Sequence, residues 1–380
     1  MSIKTSNTDF KTRIRQQIED PIMRKAVANA GGVFGQIGKK WSINWGTGRS
    51  GAIGPPIRDH VLSNLDAYLY QLSEKVTQNG GHVYFAKTKE DATRYILQVA
   101  QRKNARKVVK SKSMVTEEIG VNHVLQDAGI QVIKKPIWVN TFSSWIKIRP
   151  LMLWSRQFIK IAIRSVECYT NVWAIEGPET PEAMTLFIRQ KIREDLLSAE
   201  ISITGCNFAV AEVGSVCLVT NEGNARMCTT LPKTHIAVMG MERIAPTFAE
   251  VDVLITMLAR SAVGARLTGY NTWLTGPREA GHVDGPEEFH LVIVDNGRSE
   301  VLASEFRDVL RCIRCGACMN TCPAYRHIGG HGYGSIYPGP IGAVISRYLA
   351  AIKILKIYPT PALYAPLVTA CVRCVFRCQN

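Results

Sequence analysis

Four closely spaced cysteines in the last fifth of the chain constrain it more than any other feature. Cys312, Cys315, Cys318 and Cys322 are followed directly by Pro323, which gives the spacing C-x2-C-x2-C-x3-C-P. Thiolates three residues apart on a tight loop point to one side, so three of them can bind one metal cluster. The fourth thiolate stands at the start of the next turn. The run therefore predicts a thiolate-bound metal centre.

The spacing favours iron–sulfur over zinc. It is the run that binds [4Fe-4S] clusters in bacterial ferredoxins, where the fourth cysteine ligates the other cluster of a two-cluster protein. Gly316 suits a backbone that bends closely around a cluster, because glycine has no Cβ. Zinc sites need two C-x2-C pairs or two suitably spaced histidines, and His327 and His331 fit that pattern poorly. We expect these histidines to pack in the loop or to contact a residue that binds the metal, rather than to bind the metal themselves. Zinc stays the alternative metal.

Composition argues against a secreted disulfide scaffold. The chain has 380 residues and 11 cysteines, and its first 20 residues contain no apolar core of the kind that a secretory leader has. These features predict reduced thiols and a cytoplasmic location. Because the sequence has no run of eighteen uncharged apolar residues, we expect no membrane span, and membrane contact is not expected either.

The net charge of +15 does not predict nucleic-acid binding. Residues 32–56, 134–173 and 347–380 together carry +14 of it, so the remainder of the chain is nearly neutral. No nucleic-acid-binding motif accompanies these three basic segments, and we expect no nucleic-acid partner.

Between these segments the pattern alternates strands and helices. Strands are predicted at residues 82–86, 106–110 and 129–133, with helices between them, and this order is typical of a mostly parallel α/β sheet. The polar loop 110–113 follows the second strand, at the edge where such sheets bind ligands. An anion site and a solvated turn are both open for this loop. A domain division follows: 1–56 as an N-terminal helix and irregular linker, 57–300 as the α/β domain, and 301–380 as a small helical iron–sulfur domain.

Several stretches resemble one known family. KSKSMVTEEIGVN at 110–122, ITGCNFAVAEVGSVCLVTNEGNARM at 203–227 and LPKTHIAVMGMERIAPTF at 231–248 are similar to the LUD domain of the lactate utilization protein B family. The stretches NTWLTGP at 271–277 and DGPEEFHLVIVDNGR at 284–298, together with the cysteine run, continue the match. The resemblance implies a CoA-transferase-like (NagB/RpiA-like) LUD domain followed by a ferredoxin-type 4Fe-4S domain.

The resemblance also implies a function. The family supplies the iron–sulfur electron-transfer subunit of a bacterial system that oxidises L-lactate to pyruvate. The implied partners are a CCG-domain subunit and a second LUD-domain subunit, with an unknown redox carrier. The implied cofactor is one [4Fe-4S] cluster, or two if the last cysteines of the chain are also ligands.

Those last cysteines are Cys371, Cys374 and Cys378, whose C-x2-C-x3-C spacing matches the family's second cluster. Cys378 could complete the first cluster while Cys322 joins the second, or Cys322 could fold back and complete a single cluster. Val372 and Gln379 stand where the family has Gly and Pro, and the family's downstream region is absent, so this domain looks truncated. We also hypothesise that the three basic segments are out-of-frame translations, because only one acidic residue occurs in their 99 positions.

Two other functions stay open. Glu212 follows a predicted strand and could be the carboxylate nucleophile of a CoA-transferase-like enzyme, although a structural role is the simpler reading. A truncated, non-functional product is the third reading, and it predicts poor solubility without bound iron. Cys168, Cys206, Cys217 and Cys228 lack ligand spacing and are predicted to be buried, inert thiols.

Overall fold

The computed structural model describes residues 10–20, 49–134, 186, 189–190, 193–220, 224–263 and 269–349. Within these ranges the helices are α1 Phe10–Glu19, α2 Arg49–Ser63, α3 Leu65–Gln78, α4 Lys89–Arg102, α5 Met114–Glu118, α6 Val121–Asp127, α7 Asn224–Thr230, α8 Phe248–Val263, α9 Arg298–Leu302, a 3-10 helix Arg307–Arg311, α10 Ala317–Thr321, α11 Pro323–Gly332 and α12 Gly339–Leu349. The strands are β1 His82–Ala86, β2 Lys107–Lys110, β3 Gln131–Lys134, β4 Ile201–Gly205, β5 Phe208–Val210, β6 Ser215–Thr220, β7 Thr234–Gly240, β8 Ile244–Ala245, β9 Tyr270–Leu274 and β10 Glu288–Val294.

A six-stranded sheet forms the centre of the fold, in the order β1-β10-β7-β4-β2-β3, and every pairing in it is parallel. Strands β4 and β7 are buried along their whole length, as expected when helices cover both faces of a parallel sheet. One apolar core lies between the sheet and helices α4 and α6, and a second lies between the sheet and helices α2 and α3. The prediction of a mostly parallel α/β domain is confirmed.

Local signals explain where the first elements begin and end. Thr88 caps α4 through a capping box with Asp91, so the helix begins at Lys89, directly after this residue and soon after the end of strand β1. The helix predicted after β2 is divided into α5 and α6, because Gly120 adopts a left-handed conformation with φ of +72°. Strand β1 has the predicted bounds, while β2 and β3 begin one and two residues later than predicted.

The irregular linker predicted within 1–56 is wrong over residues 49–56, which lie in helix α2 despite Pro55 and Pro56. Tertiary packing overrides the composition here, since Ile57 and Val61 from the same helix are buried. A Cβ atom at Gly54 would lie 2.2 Å from the sulfur of Met257, so the glycine permits α2 to pack closely on α8. The basic segments 134–173 and 347–380 lie outside the described residues, apart from Lys134 and residues 347–349. The out-of-frame hypothesis stays a prediction.

A second, four-stranded sheet in the order β8-β5-β6-β9 was not predicted. Strands β5 and β6 form an antiparallel hairpin, β6 pairs antiparallel with β9, and β5 pairs parallel with β8. This sheet and helix α8 enclose a core that also contains Ile313 and Cys315. The second sheet therefore provides the surface on which the cysteine loop packs. No helix in the described ranges has the length and apolarity to cross a membrane.

Gly214, in the hairpin between β5 and β6, provides the first test of this packing. Its φ is +72°, and a Cβ atom there would lie 2.7 Å from the backbone of Lys75 and Val76 in α3. We expect Gly214→Ala to lower the free energy of unfolding by about 3 kcal/mol, combining left-handed strain of about 1–2 kcal/mol with overpacking of about 1–3 kcal/mol. Urea unfolding monitored by circular dichroism measures the change.

Gly129→Ala is the matched control, because Gly129 has φ of +79° but no atom within 4 Å of the added Cβ. This variant should lose only the left-handed strain, about 1–2 kcal/mol. Equal losses in the two variants would contradict the close contact between the hairpin and α3.

Candidate metal centre

The four cysteines of the predicted run converge on one small region. Cys312 directly follows the 3-10 helix, Cys315 is buried in the loop, Cys318 lies in α10, and Cys322 joins α10 to α11. Burial, together with the charges of the other three sulfurs, raises the pKa of Cys318 to about 12. The chain therefore brings four mutually interacting thiols together, as a cubane requires.

The loop holds this arrangement with two left-handed residues. Arg314 has φ of +63° and Gly316 has φ of +80°, so the backbone reverses direction between successive cysteines. The backbone N–H of Arg314 lies 3.4 Å from the sulfur of Cys312 as a result. The predicted role of Gly316 in a tightly bent backbone is confirmed.

Backbone amides also face the other three sulfurs. The pKa of Cys315 is raised to about 11 by burial, against an opposing backbone hydrogen bond from Ala317, and Cys318 has a corresponding bond from Ile341 at the start of α12. The N–H of Tyr325 lies 3.5 Å from the sulfur of Cys322, which places Cys322 as a cap on α11. Amide donors of this kind stabilise thiolate sulfur and tune the potential of clusters.

The raised pKa values show what the thiols need in order to ionise. Burial favours the neutral forms of Cys315 and Cys318, and mutual repulsion among the four sulfurs adds to that preference. A bound metal reverses this, because it deprotonates coordinating thiols outright. The site is therefore suited to hold iron and is poorly suited to four free thiolates.

The cysteine loop is attached to the carboxyl edge of the six-stranded sheet. Arg243, just after β7, donates to the carbonyl oxygens of Cys312 at 3.0 Å and Ile313 at 3.3 Å. Arg58 from α2 is buried and donates to the carbonyl oxygens of Leu310 at 3.0 Å and Ile244 at 2.9 Å. The edge at which α/β sheets usually bind ligands is thus the edge that contacts the cysteine loop.

Buried ion pairs continue from this contact into the α/β domain. Arg298 bonds to Glu242 at 2.8 Å and to Glu118 at 2.8 Å, and all three side chains are at most 2% exposed. Glu118 also accepts the hydroxyl hydrogen of Tyr337, a residue just before α12. Burial alone would raise the pKa of Glu242, but Arg298, followed by Arg243 and Arg314, lowers it to about 2.

The charges in this network do not balance. Four guanidinium groups face two carboxylates among the buried or largely buried residues described here: Arg58, Arg243, Arg298 and Arg314 against Glu118 and Glu242. Buried charge is costly unless an opposite charge lies beside it. A cluster bound by four thiolates is anionic, so the cysteine loop would supply the missing negative charge. This donor set and this excess of positive charge fit an iron–sulfur cluster.

Several predicted residues stand apart from this centre. His327 is exposed, and its Nδ1 lies 2.7 Å from the carbonyl oxygen of Pro323 in the same helix. The side chain of His331 and the residues Cys371, Cys374 and Cys378 lie outside the described part of the chain. Their predicted roles, including the second cluster, therefore stay predictions. From the glycine-rich stretch 327–334, the hydroxyl oxygen of Tyr333 lies 3.8 Å from the sulfur of Cys322.

The two other candidate sites have structural partners. Glu212 accepts a hydrogen bond of 2.9 Å from the backbone N–H of Phe248, so its carboxylate caps α8. In the polar loop 110–113, the side chain of Lys110 is 3% exposed and pairs with Glu117 at 2.6 Å. This buried ion pair is neither the open anion site nor the solvated turn that was considered for the loop. Neither arrangement leaves these side chains directed at a substrate.

Cys206, Cys217 and Cys228 form no disulfide in the part of the chain that the structure describes, and Cys217 and Cys228 are buried. Burial raises the pKa of Cys206 to about 12 and also raises that of Cys217, which makes these two thiols poor nucleophiles. Cys168 lies outside the described residues. The role of the arginines around the cysteine loop was not predicted. Two signals in the sequence could have drawn attention to them: Arg314 lies within the cysteine run, and Arg243 stands between two apolar stretches.

Models of two protein families match this chain and agree with this architecture. A model of the LUD domain matches residues 69–294, and a model of the 4Fe-4S dicluster domain matches residues 308–380. Among solved structures, a DUF162 family protein of Deinococcus radiodurans aligns with 60% of this chain and 98% of its own, at 18% identity and a TM-score of 0.35. The dicluster match confirms the prediction of an iron–sulfur cofactor, and the LUD match confirms the predicted fold class.

Relatives match along nearly the whole chain. An uncharacterized electron transport protein of Escherichia coli, YkgF, is 77% identical over 98% of this chain and 78% of its own length. Lactate utilization protein B of Shouchella clausii is 49% identical over 100% of this chain and 78% of its own length. The same protein of Bacillus pumilus is 52% identical over 92% and 74%. The chain therefore belongs to the lactate utilization protein B family, with a LUD domain followed by a 4Fe-4S dicluster domain.

Proposed function

We propose that this chain is the iron–sulfur electron-transfer subunit of a bacterial complex that oxidises L-lactate to pyruvate. The observation that carries the proposal is the convergence of Cys312, Cys315, Cys318 and Cys322 beside an excess of buried positive charge. A bound cluster supplies single-electron transfer, and its potential depends on hydrogen bonds, charge and exposure. The names of the relatives support both the electron transport and the lactate in this proposal.

In this proposal the described residues of the chain hold and shield the cluster, and the chemistry on the substrate belongs to a partner. Oxidation of lactate releases two electrons and two protons, which requires a group that accepts hydride or paired electrons. Glu212 and Lys110, the candidates at the LUD domain, are engaged in internal bonds. We therefore assign the chemistry on lactate to a partner, either the CCG-domain subunit or the second LUD-domain subunit, and electron relay to this chain. The proposed location is the cytoplasm, where the described cysteines remain thiols.

Mixing the three subunits without oxygen tests the relay. Addition of L-lactate to the complete mixture should bleach the visible absorbance of this chain, whereas L-lactate added to this chain alone should leave the absorbance unchanged. Dithionite should bleach both samples, which shows that the cluster is intact. The matched control replaces this chain with the Cys315→Ser variant.

Two results would contradict the proposal. Bleaching of the isolated chain by L-lactate would make it the lactate-oxidising enzyme itself. A complete mixture that oxidises L-lactate at the same rate with the Cys315→Ser variant would show that electrons do not pass through this centre.

A further inference from the structure

Arg314 lies inside the cysteine run and has an unusual environment. Its guanidinium carbon is 4.4 Å from the ring centroid of Tyr337, and its Nη2 is 3.8 Å from Glu242. Its Nη1 is buried and makes no hydrogen bond with any residue that the structure describes. The side chain is 14% exposed, so water does little to compensate this charge.

The neighbours of Arg314 do not neutralise it. Glu242 is shared with Arg298, which is closer to it at 2.8 Å. The charge of Arg243, the next residue in the chain, also acts on the carboxylate of Glu242. Tyr337 contributes only the face of its ring and gives its hydroxyl hydrogen to Glu118. The cysteine loop is the other neighbour, since the backbone N–H of Arg314 lies 3.4 Å from the sulfur of Cys312, and thiolates that bind a metal carry negative charge. Arg314 thus combines an unpartnered buried N–H with uncompensated positive charge, and its own backbone contacts a predicted ligand of the metal centre.

We propose that Arg314 is a positioning residue of the redox centre, whose guanidinium is the counter-charge that raises the reduction potential of the cluster held by the Cys312–Cys322 loop. This inference rests on the proposed cluster site. Reduction adds one negative charge to the cluster, and a fixed positive charge beside it stabilises the reduced form more than the oxidised form. Because Glu242 and Tyr337 hold the guanidinium in place, it needs no rearrangement when the electron arrives.

The test is a redox titration of the full-length holoprotein, with mediators and with detection by absorbance and electron paramagnetic resonance. Arg314→Gln removes the charge but retains a planar polar group, and we expect its midpoint potential to fall. At a fixed potential the ratio of reduced to oxidised cluster should drop about tenfold, which corresponds to about 59 mV for one electron. Arg314→Lys keeps the charge and should retain the wild-type potential within a fraction of that shift.

Arg307→Gln is the matched control, because Arg307 is exposed, lies five residues before the first cysteine, and donates a hydrogen bond of 3.5 Å to the hydroxyl of Ser63. Water screens this charge, so the control should leave the potential unchanged. If Arg314→Gln loses iron while Arg314→Lys retains it, a positive group at this position suffices to keep the cluster. That result would also support the role of Arg314 as a counter-charge.

Two outcomes would overturn the inference: a wild-type potential in Arg314→Gln, or loss of iron from both Arg314 variants, which would make the side chain a purely steric requirement. Failure of the proposed function appears differently, as a wild-type protein that contains no iron at all.

Discussion

Cys315→Ser is expected to remove about four iron atoms per chain and the visible absorbance that accompanies them, because a cubane contains four irons. Cys315 is 8% exposed and belongs to the part of the cysteine loop that packs in the core of the second sheet and α8. A serine hydroxyl at this position stays protonated and is a hard ligand, whereas iron–sulfur clusters select soft thiolates. Iron and acid-labile sulfide analysis of the anaerobically purified variant measures the loss.

Cys228→Ala is the control for this prediction. Cys228 is also buried, but it belongs to the core formed with Leu196 and Val109, away from the cysteine loop. The alanine variant should keep the wild-type iron content while losing some stability through the small cavity. Unchanged iron in Cys315→Ser, or equal losses in the two variants, would contradict the assignment of the site.

Arg298→Met is expected to lower the free energy of unfolding by about 3–5 kcal/mol, since it leaves two buried carboxylates without their main partner. Arg298 is fully buried and bonds to Glu118 at 2.8 Å and Glu242 at 2.8 Å. Methionine fills a similar volume, so the loss reports charge more than packing. Anaerobic urea unfolding, monitored by circular dichroism, gives the difference.

Arg102→Met makes the same substitution in an exposed ion pair. Arg102 lies 3.2 Å from Glu288 and its side chain is 59% exposed, so the change should cost at most about 1 kcal/mol. A loss in Arg298→Met as small as that of the control would show that the buried network does not hold the α/β domain and the cysteine loop together.

The metal centre could be predicted because its signal is local in the sequence. Four cysteines within eleven residues fix both the type of ligand and its spacing, and Gly316 marks the bend between them. The strands β1, β2 and β3 could be predicted equally well, since each is a short β-branched or aromatic segment bounded by glycine or a helix cap. In each case the residues that decide the structure are neighbours along the chain.

The environment of the centre could not be predicted, because its partners are distant in sequence. Arg58 reaches a carbonyl group 252 residues away, and Arg298 reaches a carboxylate 180 residues away. No periodicity links such residues, and an isolated arginine in a sequence reads as a surface charge. The first eight residues of helix α2, 49–56, were missed for a related reason, since Pro55 and Pro56 indicate a loop and only packing against α8 and the sheet stabilises the helix there.

The location of the cysteine loop changes the interpretation of the LUD domain. The carboxyl edge of its parallel sheet, predicted as a ligand site through loop 110–113, presents Glu242 and Arg243 after β7 and Arg298 after β10. These side chains bond to each other and to the loop of the metal centre. The LUD domain thus provides the polar surroundings of the proposed cluster site.

Iron and sulfide analysis of the full chain, purified without oxygen and combined with electron paramagnetic resonance after dithionite reduction, tests the central claim most directly. We predict a brown protein with about four iron and four sulfide per chain, or about eight of each if Cys371, Cys374 and Cys378 complete a second cluster. A colourless protein, with zinc or no metal bound to Cys312, Cys315, Cys318 and Cys322, would contradict the claim.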